Sequence, residues 1–128
     1  FGIGGGDGTP HALQNWTENC VCYTGTHDND TVLGWLQSSD EATVKEAQKL
    51  LKFEALSDGP AAFVEAAMAS VCRDCVIPMQ DILGLDGTAR MNLPGAIGGN
   101  WLWRMEPAAL SDALVQRLRE LNQRCRRL

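Results

Sequence analysis

Cys20-Val21-Cys22-Tyr23-Thr24-Gly25-Thr26-His27-Asp28-Asn29-Asp30 is an apolar run that stops abruptly in a polar cluster. Residues 20–23 show no alternation and are too few for a helix, which predicts a parallel strand over Cys20–Tyr23 buried on both faces. Thr24-Gly25-Thr26 ends it, and Thr31–Gln37 reads as a helix with Asp30 as its cap. His27, Asp28 and Asn29 then lie at the carboxyl end of a strand and just before a helix. In α/β proteins that is where ligands bind.

A carboxylate, an imidazole and an amide side by side offer a dense set of donors and acceptors, suited to the vicinal hydroxyls of a sugar. The structural alternative is that His27 and Asp28 merely hold the turn and cap the next helix.

Downstream, Ser38 and Glu41 have capping-box spacing, and Val44, Ala47, Leu50, Leu51 and Phe53 form an apolar stripe opposite Lys45, Lys49 and Lys52. Ser57-Asp58-Gly59-Pro60 breaks that helix, and Pro60 suits the first turn of another, with Phe63, Val64, Ala67, Met68 and Val71 as its apolar residues. Val76–Met79 predicts a second buried strand ending at Gln80-Asp81, although Pro78 cannot donate to a ladder. Residues 86–104 have neither period, yet carry Arg90, Asn92, Asn100, Trp101 and Trp103. Long aperiodic loops with tryptophans are usually functional, and Trp faces can stack on sugar rings or simply plug a core. Pro107 opens a last helix with Leu110, Leu114, Leu118, Leu121 and Cys125 at helical spacing. The order strand, helices, strand, long loop, helix is a βαβα unit that needs a wider parallel sheet to bury its strands.

At 128 residues and 45% hydrophobic the chain has the size and apolar content of one domain. A net charge of −5 argues against nucleic acid or an anionic membrane as partner, since both require a concentrated basic face. Arg117, Arg119, Arg124, Arg126 and Arg127 cluster on the terminal helix, where cations suit the helix dipole. Residues 1–128 show no signal-peptide pattern and no run long and apolar enough for a membrane-spanning helix, and a start at Phe1 inside a strand-like run predicts a piece of a longer chain. Five cysteines allow a four-thiolate zinc site from Cys20, Cys22, Cys72 and Cys75, a Cys72–Cys75 redox pair, or buried reduced thiols of a cytoplasmic protein. The opening Gly2-Ile3-Gly4-Gly5-Gly6-Asp7-Gly8 lacks the spacing of a dinucleotide or phosphate loop and reads as a flexible loop.

Tyr23-Thr24-Gly25-Thr26-His27-Asp28-Asn29-Asp30-Thr31, with Gly34-Trp35, closely resembles the seventh-strand motif of the amylomaltases, the bacterial and plant 4-α-glucanotransferases. Pro78-Met79-Gln80-Asp81-Ile82-Leu83-Gly84-Leu85 is similar to their eighth strand. Ala89-Arg90-Met91-Asn92-Leu93-Pro94-Gly95, continuing to Asn100-Trp101-Leu102-Trp103-Arg104, is similar to the loop after it. One block departs, with Leu13-Gln14-Asn15 where the family usually has Pro-His-Asn.

The resemblance implies that residues 1–128 are the C-terminal quarter of a (β/α)8 TIM barrel, with Phe1-Gly2-Ile3 ending strand six. It implies transfer of α-1,4-glucan segments to glucose or another glucan by a retaining double displacement. The family's nucleophilic Asp and acid/base Glu would lie upstream of Phe1, leaving this piece inactive alone. By the same resemblance Asp28 would stabilise the transition state with His27 assisting, while Asn29, Asn92, Asn100 and Trp101 line the glucan groove. Maltooligosaccharides and glucose are the implied partners and no metal or organic cofactor is needed. A non-catalytic glucan-binding or interaction module is the alternative, and an isolated piece is expected to self-associate through open strand edges or to be poorly stable.

Overall fold

The computed structural model describes every residue except Phe1, Gly4, Asp7 and Leu128. β1 (Val21–Tyr23) and β2 (Asp74–Val76) pair in parallel, with Val21 opposite Asp74, Cys22 opposite Cys75 and Tyr23 opposite Val76. Parallel neighbours cannot be joined by a tight turn, and the crossover here runs through α1 (Val32–Ser38), α2 (Glu41–Leu51) and α3 (Gly59–Ala69). A short α4 (Met79–Ile82) follows β2, and α5 (Asp112–Arg124) comes last.

The strands depart from expectation in two ways. β1 is covered on one face only: Cys22 is 4% exposed, but Val21 and Tyr23 are 45% and 44% exposed. Cys22 packs with Ala67 of α3 and with Cys72, while no layer covers the opposite face among the described residues. β2 falls at Asp74–Val76 rather than Val76–Met79, because Pro78 has no N–H for a ladder and instead precedes the first turn of α4. Gln80 and Asp81 are therefore buried in a helical turn.

Caps shift by one or two residues for local reasons. Thr31, not Asp30, caps α1 by accepting the Gly34 N–H, and Asp40 caps α2 by accepting from Thr43 N. Ser38 belongs to α1 and donates to Gly34 O at 2.9 Å. Pro107 opens a single 3-10 turn (Pro107–Ala109), leaving Leu110 exposed, and Ser111 caps α5. Leu50 and Val71, expected on apolar faces, are exposed as well. The left-handed Lys52 ends α2 so that Phe53 folds back inward, and Val71 lies beyond the end of α3. Gly2 and Ile3 form a turn closed by Gly5 N to Gly2 O at 3.1 Å, not the end of a strand, and Phe1 lies outside the described residues.

Val32, Leu36, Ala47, Phe53 and Phe63 form the main core, joined by Trp35, Leu51 and Leu56. Leu36 is 1% exposed and sits directly on Gly59, where a Cβ would lie 2.2 Å from Leu36 Cδ1. Gly59 is thus the close-approach residue between α1 and α3 as well as the start of α3. At the far end Arg127 gathers carbonyls of the last turn of α3 and of the segment after it, donating to Met68 O at 2.6 Å, to Arg73 O at 3.1 Å, and to Ala67 O and Ser70 O at 3.3 Å.

Candidate functional site

Asp81 builds the floor of the site. Its carboxylate accepts from Thr24 Oγ1 at 2.6 Å and Val32 N at 2.8 Å, joining the end of β1 to the start of α1. It is 3% exposed, and burial pushes its pKa above the ordinary carboxylate range against the lowering effect of those two hydrogen bonds. Beside it, Gln80 Nε2 donates to Ala89 O at 3.3 Å and ties α4 to the following loop. The sequence hinted at both residues only as the polar end of a strand.

Above that floor the turn Thr26–Asn29 is held internally. Asn29 Oδ1 accepts from Thr26 N at 2.8 Å and Thr26 Oγ1 at 2.9 Å, so one half of this candidate sugar ligand is committed to the turn. Asp28 projects outward, with its side chain 51% exposed. Its Oδ1 accepts from Asn92 Nδ2 at 2.6 Å and lies 3.4 Å from His27 Nε2, while Oδ2 has no hydrogen-bond partner among the described residues.

Arg90 locks the two loops together. It donates through Nη2 to Asp28 O at 2.6 Å and through Nε to Asn92 O at 2.8 Å, with Nη1 4.0 Å from Asp30 Oδ2. Asp28 and Asn92, far apart in sequence, are thereby fixed beside each other. From the sequence Arg90 was legible only as one of the polar residues of the aperiodic loop 86–104.

Trp101 completes the arrangement. Its ring centroid is 5.1 Å from that of His27 at an interplanar angle of 39°, and it is held there on a left-handed backbone with φ 64°. A bulky residue rarely adopts that conformation. Trp101 N donates to Met91 O at 2.7 Å, and the preceding Gly98 and Gly99 also have positive φ. Asn100 braces this loop instead of reaching outward: Oδ1 accepts from Leu93 N at 2.8 Å and Nδ2 donates to Ala96 O at 3.2 Å.

A cavity of about 530 Å³ opens here, lined among others by Tyr23, His27, Asn29, Asp81, Arg90 and Trp101. Asp28, Asn92 and Asn100 are not among its lining residues. What the site offers is hydrogen-bonding groups, an aromatic face and one half-free carboxylate. Among the described residues no group of three His, Cys, Asp or Glu side chains is placed to hold a metal ion.

The family model described as 4-alpha-glucanotransferase matches residues 2–111. The chain belongs to the 4-alpha-glucanotransferase family. A rice (Oryza sativa subsp. japonica) relative, 4-alpha-glucanotransferase DPE1, chloroplastic/amyloplastic, is 44% identical over 124 residues, covering 94% of this chain and 21% of the relative. The Thermus thermophilus 4-alpha-glucanotransferase is 42% identical over 113 residues, covering 84% of this chain and 23% of the relative. In three dimensions the chain matches an amylomaltase from Streptococcus agalactiae, solved in complex with acarbose, with TM-score 0.84 and 28% identity, over 93% of this chain and 24% of that one. The chain is thus an α/β piece matching about a quarter of an amylomaltase. It spans about a fifth of the length of the curated 4-alpha-glucanotransferases it matches. No helix among the described residues is long and apolar enough to cross a membrane.

Proposed function

We propose that this chain is the C-terminal quarter of the (β/α)8 barrel of a 4-alpha-glucanotransferase, with β1 as strand seven and β2 as strand eight. The enzyme moves α-1,4-glucan segments to glucose or another glucan by a retaining double displacement. The nucleophile and the acid/base belong to the remainder of the barrel, so residues 1–128 alone are inactive.

In this reading Asp28 binds two hydroxyls of the sugar at the cleavage point and binds the distorted, oxocarbenium-like form more tightly, which lowers the barrier. His27 serves a neighbouring hydroxyl and Trp101 stacks on a sugar ring. Asn92 holds Asp28 in register, Asn29 offers its remaining Nδ2, and Asn100 shapes the loop that carries Trp101. No cofactor enters the reaction. The free cysteines favour a reducing compartment such as the cytoplasm.

One observation carries the assignment: Asp28 is held through Oδ1 by Asn92 with Oδ2 left free, beside a cavity bordered by His27 and Trp101. The test is incubation of the full-length enzyme with maltotriose. Glucose together with chains longer than maltotriose is the expected product set. Glucose and maltose alone, the signature of hydrolysis, or no conversion by folded enzyme, overturns the proposal.

A further inference from the structure

The site leaves one chemically active pair unused. Cys20 Sγ and Cys72 Sγ lie 3.1 Å apart although 52 positions separate them in sequence. Their backbones are tied on both sides of that contact: Arg73 N donates to Glu18 O at 2.9 Å, and Arg127 grips Ser70 O and Arg73 O. Cys20 also donates its S–H to Thr17 O at 2.8 Å, which leaves its sulfur lone pairs free towards Cys72. The two thiols differ in access, since Cys20 is partly exposed and Cys72 is 2% exposed.

We propose that Cys20 and Cys72 are a modification site that closes to an intramolecular disulfide by exchange with a small-molecule disulfide, oxidised glutathione being the probe. The Cys20 thiolate attacks one glutathione sulfur, forming a mixed disulfide and expelling a glutathione thiolate that takes up a proton. The Cys72 sulfur, losing its proton, then attacks the Cys20 sulfur and expels the second glutathione thiolate. Two protein thiols are oxidised, one glutathione disulfide is reduced, and the two protons end on the two released thiols.

The order of attack follows from the surroundings. Donation by the Cys72 thiol lowers the Cys20 pKa, whereas burial pushes Cys72 up to about 11. The bond needs the sulfurs at about 2.05 Å, an approach of about one ångström from where they stand. The Cys72–Cys75 pairing suggested by sequence spacing gives way for a structural reason. Cys75 faces Cys22 across the ladder, and burial pushes its thiol up to about 12.

The experiment uses the native protein, reduced, freed of reductant, incubated with oxidised glutathione, blocked with N-ethylmaleimide and mapped by mass spectrometry. The expected result is one cross-linked peptide joining Cys20 to Cys72 with two hydrogens lost, the other thiols alkylated, a higher Tm, and reversal by dithiothreitol. In Cys72→Ser the exchange stops at its first step, leaving a stable glutathione adduct on Cys20. Wild-type protein with Cys20 and Cys72 both alkylated, or with a Cys22–Cys75 or Cys72–Cys75 link instead, overturns the proposal, and that arm needs no variant to fold.

Discussion

Asp81 shows what a single buried carboxylate does here. Desolvation raises its pKa, the hydrogen bonds from Thr24 and Val32 lower it, and the Asp30 charge adds to the rise, for a net upward shift. Between the unfolded-chain value and the raised native value, the folded protein holds more protons than the unfolded chain. Stability contributed at this position therefore falls as pH rises through that window. Measured against Asp81→Asn, the wild-type Tm should lose ground as pH is raised from about 4 and level off above the native pKa. A wild-type-minus-variant difference that is flat across the window contradicts this placement. Gln80-Asp81 could be read in the sequence as a polar stop. Its bonds to Thr24 and Val32 could not, because the partners stand 57 and 49 positions away in sequence. The neighbouring turn was easier to read, since His27, Asp28 and Asn29 act within a few residues of one another. Even so, the commitment of Asn29 to Thr26 depends on a turn conformation that residue types alone do not fix.

Elements meet the site through close approaches. A Cβ at Gly34 in α1 would lie 2.5 Å from Asp30 Oδ1 and 2.8 Å from Gly87 Cα. Gly34→Ala gains about 1 kcal/mol of helix propensity but forces apart a carboxylate and a backbone that Arg90 and Gln80 hold in place. Overpacking of that kind costs about 1–3 kcal/mol and occasionally more, and three atoms closer than 3 Å, two of them on the Asp30 carboxylate, put this position at the upper end. Gly34→Ala should therefore lower stability in a urea titration, and an unchanged or raised midpoint contradicts the packing described. Removing the clamp on α3 is a separate expectation. Arg127→Met keeps the stem but loses four charge-assisted bonds, with a loss of about 1.5–3 kcal/mol, and equal urea midpoints for the two proteins contradict it. At this scale the sequence pattern located α1, α2, α3 and α5 but missed their ends, and it missed α4 altogether. Ser38 and Asp40 are both good caps two residues apart, but Ser38 is taken up in the last turn of α1, where it donates to Gly34 O, and Asp40 is left to accept from Thr43 N. Pro78 similarly decided where β2 stops, because a ladder position without an N–H is worth less than a helix start.

Across the whole molecule the two-stranded sheet presents Val21, Tyr23 and Val76 to solvent, each 44–50% exposed, with the edges of both strands open among the described residues. Such edges recruit further strands, and in the proposed barrel the neighbouring strands supply them. The 128-residue chain by itself should accordingly self-associate at micromolar concentration in a sizing experiment, and a stable monodisperse monomer contradicts that. In the proposed reading turnover, too, belongs to the complete barrel. The most direct measurement is the turnover of maltotriose per folded molecule by full-length enzyme carrying Asp28→Asn, with Tm recorded on the same preparation. The substitution keeps size and most hydrogen bonding but removes the charge. Hydrogen bonds to a charged group are worth about 1.5–3 kcal/mol, roughly ten- to over a hundredfold in rate. The predicted result is a fall of at least that size, mainly in kcat, with Tm little changed. Near-normal turnover with a lowered Tm would make Asp28 a turn-holding residue, and wild-type turnover in a stably folded Asp28→Asn enzyme would contradict its role in glucan transfer.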